Sequence, residues 1–191
     1  MKFVKHVKSQ LPFANARKRS KGFISLETGL VLVFIAIVLG GVILAFSGWL
    51  RRNSVSSNVQ AMTFTAGAAK ANFGQANRYA AVDTAVAVRG HLLPEDLRDG
   101  AAATATNSFG GAITFAPVNL TGTADGLGVT WNNVSSNQCS DIVYGIKDAA
   151  RQISIGGTVV KPTDADIVDV TLGAACEAAG TVPILMVVGR S

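Results

Sequence analysis

The stretch that decides the fold is KGFISLETG (residues 21–29), followed by an apolar run at residues 30–50, LVLVFIAIVLGGVILAFSGWL. This run contains 21 residues and no charged side chain. A helix needs about 20 apolar residues to cross a hydrocarbon core about 30 Å thick, so the run predicts a membrane-spanning helix. Glu27 stands just before it. An ionisable group beside a spanning segment is costly, and it is therefore a candidate functional residue.

The positive charge of the chain is concentrated before this helix. Residues 1–22 carry seven Lys or Arg and no acid, so their removal would change the formal net charge from +5 to −2. Lys and Arg next to a first membrane segment favour a cytoplasmic N-terminus, and only Arg51 and Arg52 flank the other end. Binding of nucleic acid by RKRSK (17–21) is the alternative explanation of these charges, and no specific nucleic-acid partner is predicted.

Two simpler explanations of the apolar run are an ordinary secretory signal and a plain anchor. A secretory signal has an apolar region of only about 7–15 residues and a small-residue cleavage site. The nearest such site is Ala45-Phe46-Ser47, after an unusually long core. A plain anchor explains the run, but it does not explain the presence of Gly22, Phe23 and Glu27 together.

The basic leader, Gly22, Phe23, a glutamate at the fifth position from Phe23 and the apolar run together resemble the signal of type IV pilin precursors. The leader of 22 residues is similar to that of the type IVb branch. The Leu93-Pro94 stretch and Gly110-Gly111 before a strand resemble features found at the same positions in thin-pilus major pilins of conjugative systems. The resemblance implies a structural subunit of a type IVb pilus.

The resemblance also implies how the subunit is processed. A prepilin peptidase would cut between Gly22 and Phe23, and the new amine of Phe23 would be methylated. Inner-membrane machinery would then assemble identical subunits into a helical filament, in which Glu27 attracts the Phe23 amine of a neighbour. Opposite charges attract strongly at low dielectric, and pairing offsets the desolvation of both. The alternative is a Glu27 that is solvated at the membrane interface.

The rest of the chain predicts an α+β fold. Residues 24 to about 80 form one long helix, whose second half carries an apolar stripe suited to packing on a sheet. Strands are expected at 112–118, 127–134, 166–172 and 181–188, with a strand or hairpin at 153–160 and a helix from Cys139 to about Ile153. The resemblance implies a pilin head, in which an antiparallel sheet packs on the first helix. The stripe consists of Val55, Val59, Met62, Ala66, Ala69, Phe73, Ala76 and Ala80.

This organisation predicts three parts: a leader at 1–22, a transmembrane or filament-core half-helix at 23–52, and a periplasmic or extracellular head at 53–191. Before assembly the subunit would lie in the inner membrane, and afterwards in an extracellular pilus. Cys139 and Cys176 lie in the part that would face the oxidising periplasm, so we expect a disulfide between them. Two free buried thiols are the alternative.

No catalytic or cofactor-binding constellation is present in the sequence. His6 lies in the leader, and His91 stands alone before Leu92-Leu93. Asp164, Asp166 and Asp169 lack the glycine and distal glutamate of an EF-hand loop, and a solvated acidic turn explains them better than a calcium site. We therefore predict no enzyme activity, no metal and no cofactor.

Several other functions are compatible with the same features. A minor pilin or a type II secretion pseudopilin is the second interpretation, but a minor pilin that carries an adhesin usually has a much larger C-terminal region, and a pseudopilin more often has a shorter head and a shorter leader. A membrane-anchored periplasmic binding module would keep its N-terminus uncut and would not polymerise. The sequence does not distinguish adhesion, aggregation, conjugation, DNA uptake or motility as the role of the filament.

Overall fold

One long helix begins the described part of the chain, and short helices and strands follow it. The computed structural model describes residues 26–74, 78–177 and 180–189, with side chains described at 28–42 and from Arg52 onward except Arg78. Two compact units divide between Leu44 and Ala45. The helices are α1 (Leu26–Phe73), α2 (Thr84–Arg89), α3 (Ser136–Ile146) and α4 (Asp169–Cys176). The strands are β1 (Arg98–Asp99), β2 (Thr104–Ala105), β3 (Ile113–Val118), β4 (Gly126–Ser135), β5 (Gln152–Ile155), β6 (Thr158–Lys161) and β7 (Thr181–Gly189).

The predicted long helix is present as α1, but it ends earlier than expected. Gly74 N donates to Lys70 O at 3.0 Å, and a Cβ on Gly74 would lie only 2.4 Å from that oxygen. Only glycine accommodates so close an approach, which explains why Gly74 directly follows Phe73, the last residue of α1. Ala76 lies outside the described residues, and Ala80 belongs to a separate 3-10 turn, Arg78–Ala81.

Among the described residues, no helix combines the length and the apolar character that crossing a membrane requires.

The predicted stripe on the second half of α1 packs on the head. Met62, Ala66 and Ala69 are buried, and Val55, Val59 and Phe73 pack against the core with part of their surface exposed. Asn58, Ala61 and Thr65 are also buried on this side of the helix. Thr65 Oγ1 donates to Ala61 O at 2.7 Å, so the buried hydroxyl is satisfied within the helix.

An antiparallel sheet of five strands, in the order β3-β4-β7-β5-β6, forms the other side of the core. Cross-strand register aligns Phe115 with Val129 and Val129 with Met186. One face of the sheet packs on the core: alternate residues are buried on β3, while β4, β5 and β7 also bury consecutive residues. The buried side chains on this face are Ile113, Phe115, Leu127, Val129, Trp131, Ile153, Ile155, Ile184, Met186 and Val188.

The strands at 112–118, 127–134 and 181–188 are confirmed as β3, β4 and β7, within two residues at each end. The segment 153–160 is confirmed as the β5–β6 hairpin. Gly156 and Gly157 make its turn with φ values of +55° and +89°, a region that glycine enters at little cost.

Two predictions about the C-terminal region are wrong. The helix expected from Cys139 to about Ile153 begins at Ser136 and ends at Ile146, and Ile153 lies in β5. The strand expected at 166–172 is absent, because the chain enters α4 at Asp169. Leu172 and Cys176, four residues apart, are buried together, which is the helical spacing and not the alternation of a strand.

The connection between α1 and the sheet contains an additional helix. α2 was not expected, and the Asp83 side chain caps it by accepting from Val86 N at 2.7 Å. A single 3-10 turn, Glu95–Leu97, follows Pro94. The segment 101–108 contains the two-residue strand β2, paired with β1.

Candidate functional site

The residues predicted for processing lie at the start of the chain. Gly22 and Phe23 are outside the described residues. Glu27 is the second residue of α1. Its proposed pairing with a neighbour's Phe23 therefore remains a prediction.

The first unit of the chain presents a helical surface of apolar side chains that its own fold does not cover. We call residues 30–42 the apolar segment. Its large side chains are between 45% and 68% exposed, from Ile35 at the lower end to Ile37 at the upper. Contiguous apolar surface of this kind marks a site of contact with protein or membrane. The exposed members are Leu30, Val31, Leu32, Val33, Phe34, Ile35, Ile37, Val38, Leu39 and Val42.

A buried polar contact fixes the second half of α1 to the sheet. Trp131 Nε1, in a fully buried side chain, donates to Asn58 Oδ1 at 3.3 Å. Asn58 Nδ2 lies 2.7 Å from Ser54 O and 2.5 Å from Ser108 Oγ. A buried amide with these partners orients the helix on β4, because any other register would leave the indole N–H unpaired. The predicted stripe did not include Asn58, although its spacing of four from Met62 places it on the buried side of α1.

The predicted Gly110-Gly111 feature forms a tight turn against a bulge in β4. Asn107 Oδ1 accepts from Phe109 N and Gly111 N, each at 2.9 Å, and Asn107 Nδ2 donates to Asn132 O at 2.6 Å. The β4–β7 register shifts between Trp131 and Val134, which marks the bulge. A Cβ on Gly111 would lie 2.0 Å from Asn132 O, so this position requires glycine.

Replacing Gly111 with Ala is expected to lower the free energy of unfolding by about 1–3 kcal/mol or more, because backbone must move to admit the methyl group. Thermal unfolding of the full chain followed by circular dichroism would measure the change. Gly100→Ala is the matched control, since a Cβ on Gly100 meets nothing within 4 Å. Equal melting temperatures for the two variants would contradict the close contact at Gly111.

A disulfide joins α3 to α4. Cys139 and Cys176 are bonded, with Cα atoms 5.7 Å apart and a sequence separation of 37. This confirms the expected pairing, and no other cysteine occurs in the sequence. Tyr144 OH donates to Asp169 Oδ1 at 2.6 Å, so α4 is attached to α3 near both of its ends.

Two of the three aspartates considered for calcium have other partners. Arg151 forms an ion pair with Asp164, and Nε of Arg151 donates to Asp164 Oδ1 at 2.9 Å. Asp169 accepts from Tyr144. Within the described ranges no group of three His, Cys, Asp or Glu side chains could hold a metal ion. His91 is an exposed residue with φ of 58°, in the turn after α2.

Asp125 organises the turn between β3 and β4. Its carboxylate accepts from Leu120 N, Thr121 N, Thr121 Oγ1 and Gly122 N, at distances from 2.7 to 2.9 Å. These hydrogen bonds, the one from the Leu120 backbone first, hold the pKa of the Asp125 carboxyl well below its usual range. They favour the ionised form, so the turn is most stable when Asp125 is charged.

Acid is expected to weaken this turn. Because the folded pKa of Asp125 is lower than the unfolded value of about 3.9, its contribution is complete above that value and is lost as the pH falls towards the folded pKa. Asp125→Asn should therefore show a smaller loss of urea midpoint than the unmodified chain between pH 6 and pH 2.5. Asp148→Asn is the control and should keep the original acid dependence. Identical pH profiles for Asp125→Asn and the unmodified chain would contradict this role.

A family model described as PilS N terminal matches residues 50–188, well over half of the chain. The matched region contains the Asn58–Trp131 contact, the sheet and the disulfide described above. The chain belongs to the PilS family of type IV pilins. This match confirms the predicted type IVb pilin family from a region of the chain that does not include the leader.

One solved pilin shares the fold of this chain. The crystal structure of type IV b pilin from Salmonella typhi is 22% identical, has a TM-score of 0.56, and is matched over 71% of this chain and 99% of its own. TcpA, a type IV pilin from Vibrio cholerae El Tor biotype, is 12% identical with a TM-score of 0.47, over 69% of this chain and 98% of its own. The NMR structure of PilS from Salmonella typhi is 24% identical with a TM-score of 0.37, over 74% and 93%. Comparison with curated proteins gave no match.

The predicted α+β pilin fold with a disulfide in its C-terminal region is therefore confirmed. Family membership identifies the chain as a structural protein of a pilus, an extracellular filament of pilin subunits. Of the predicted site residues, the structure brings Cys139 and Cys176 together.

Proposed function

We propose that this pilin is made as a precursor, cut after Gly22 by a prepilin peptidase, methylated at the Phe23 amine and polymerised into a helical filament. The apolar segment carries this proposal. Its side chains are exposed all around α1, and an exposed apolar surface of this extent requires lipid or protein around it. Copies of the same helix would supply that protein in a filament.

Before assembly, residues 30–50 would hold the subunit in the inner membrane as a single pass with a cytoplasmic N-terminus. The absence of charge in this run and the seven basic residues before it support that orientation. The inner-membrane assembly machinery would then extract the subunit. After extraction the same surface would lie in the core of the extracellular pilus.

Glu27 would guide each subunit into place. Cleavage leaves an amine on Phe23, four residues before Glu27 along the chain. An incoming Glu27 would pair with the Phe23 amine of a subunit already in the filament, because neither charge is stable alone in an apolar surrounding. The gain is available only at the growing end, so the pair favours addition over free diffusion in the membrane.

The product would be a structural filament without enzyme activity, used for adhesion, aggregation or conjugation. These roles share the same subunit chemistry. Which of these roles the filament has would depend on what its outer surface contacts.

Mass analysis of the N-terminus in cells with and without a prepilin peptidase tests the proposal. We expect a chain that begins at a methylated Phe23 in peptidase-positive cells and a full-length chain in negative cells. Electron microscopy of sheared material should show filaments only in the first. An intact leader in peptidase-positive cells, with no filaments, would contradict the proposal and favour an anchored periplasmic binding module.

A further inference from the structure

Two neighbouring residues of α1 contact different parts of the head. Asn58 is bound to Trp131 of β4, as described above. Val59 is partly buried and lies against α3 instead. A Cβ added to Gly145 of α3 would lie 2.5 Å from Cγ2 and 2.9 Å from Cγ1 of Val59. The backbone of α3 is therefore in direct contact with the Val59 side chain.

Position 145 carries glycine although alanine would make a more stable helix. Gly145 lies inside α3, one residue before its last residue, Ile146. Its backbone does not take the positive φ that favours glycine in turns and caps. Glycine in such a helical position weakens the helix relative to alanine. The contact with Val59 explains why a residue without a side chain is found there.

Val59 cannot move aside easily to admit a larger residue at position 145. Valine is branched at Cβ, and in a helix one χ1 rotamer is strongly preferred. Both methyl carbons of Val59 lie closer to the added Cβ than two carbon atoms can pack, which is about 3.5–4.0 Å. A methyl group on residue 145 would therefore force α3 and α1 apart by roughly 1 Å.

A displacement of α3 would also displace α4. Cys139 of α3 is bonded to Cys176 near the end of α4. Tyr144, which directly precedes Gly145, donates to Asp169 at the start of α4. Both ends of α4 thus follow α3. The contact between Val59 and Gly145 therefore determines where both helices lie relative to the second half of α1.

The rotation and spacing between successive subunits of a helical polymer depend on where each subunit carries its contact surfaces. We propose, on the basis of the polymerisation proposed above, that Val59 and Gly145 are positioning residues for filament assembly. Both residues lie in the second unit, Ala45–Ser191. Their contact would fix α3 and α4 at the distance from α1 that the geometry of the filament requires. A head in which these helices are displaced would assemble with a different twist or rise, or would not assemble.

Helical reconstruction by cryo-electron microscopy of filaments from peptidase-positive cells tests this role. Gly145→Ala should shift the twist or the rise beyond the spread among preparations of the unmodified filament, or should abolish assembly. Adding Val59→Ala removes both methyl carbons that the new Cβ would meet, so the double variant should recover the original filament geometry. Gly173→Ala in α4 is the matched control and should leave the filament unchanged, because a Cβ there meets nothing within 4 Å.

The filament geometry separates a positioning role from a contribution to stability alone. If the contact only stabilises the head, Gly145→Ala should lower the melting temperature of the full chain and leave the twist and rise unchanged. That result would overturn the proposal. A double variant that fails to assemble, or that keeps the shifted geometry, would overturn it as well. Absence of filaments from the unmodified chain in peptidase-positive cells would instead overturn the proposed function itself.

Discussion

Replacing Glu27 with Gln is expected to abolish filament assembly while leaving the leader to be cleaved. The substitution keeps the size of the side chain and removes its charge, so the Phe23 amine of the neighbour would have no counter-ion. Removing one partner of a buried ion pair costs about 3–5 kcal/mol, and we therefore expect the amount of filament to fall about a hundredfold or more. Sheared filaments would be quantified by immunoblot and electron microscopy.

Glu27→Asp is the matched variant, because it retains the carboxylate on a shorter side chain. It should assemble better than Glu27→Gln, which separates loss of charge from loss of shape. N-terminal mass analysis of both would show whether the leader has been removed. Filaments from Glu27→Gln at the level of the unmodified chain would mean that Glu27 is solvated and that another contact positions the subunit.

The second large effect is expected from the disulfide. Replacing both Cys139 and Cys176 with Ala should lower the stability of the head by about 4 kcal/mol, from the loop-closure entropy of the 37-residue separation. For a domain of this size that corresponds to a fall in melting temperature of roughly 8–16 °C. Differential scanning calorimetry of the purified full chain would measure the fall.

Loss of the disulfide should destabilise α4 before the rest of the head. α4 has no side-chain hydrogen bond at its N-cap and buries only Leu172 and Cys176, so the disulfide supplies much of its attachment. Hydrogen exchange should therefore increase first in α4 and only later in β4 and β7. Ser140→Ala, one residue from Cys139 on α3, is the control. A fall of less than about 2 °C in the cysteine variant would indicate that residual denatured-state structure offsets the entropy term.

The sequence was most informative where a single periodicity dominates. The stripe of α1 repeats at about 3.6 residues, and the strands β3, β4 and β7 were predicted from a repeat of about two residues. The structure confirms these elements. The sequence was least informative at residues 166–172. The β-branched residues Ile167, Val168 and Val170 predict a strand, but the disulfide and the burial of Leu172 favour a helix. Tertiary contacts of that kind are not visible in local propensity.

The residues of the candidate site were also predicted only in part. The leader signal, with Gly22, Phe23 and Glu27 before an apolar run, indicated the family without any knowledge of the fold. The burial of Asn58 was not predicted, because asparagine side chains are usually exposed. The hydrogen bond from the Trp131 indole to the Asn58 side chain explains this burial. The close contact at Gly111 depends on a bulge in β4, a feature that sequence patterns do not specify.

The β5–β6 hairpin has a practical consequence for labelling the pilus. Gly156 and Gly157 are exposed, and a Cβ on either would meet no atom within 4 Å. Exposed turn tips of this kind tolerate inserted residues better than any other part of a domain. A short epitope or a fluorophore-binding tag could be placed between Gly157 and Thr158. Such a tag would be displayed at regular intervals along an intact fibre, which makes the subunit a scaffold for ordered presentation of peptides.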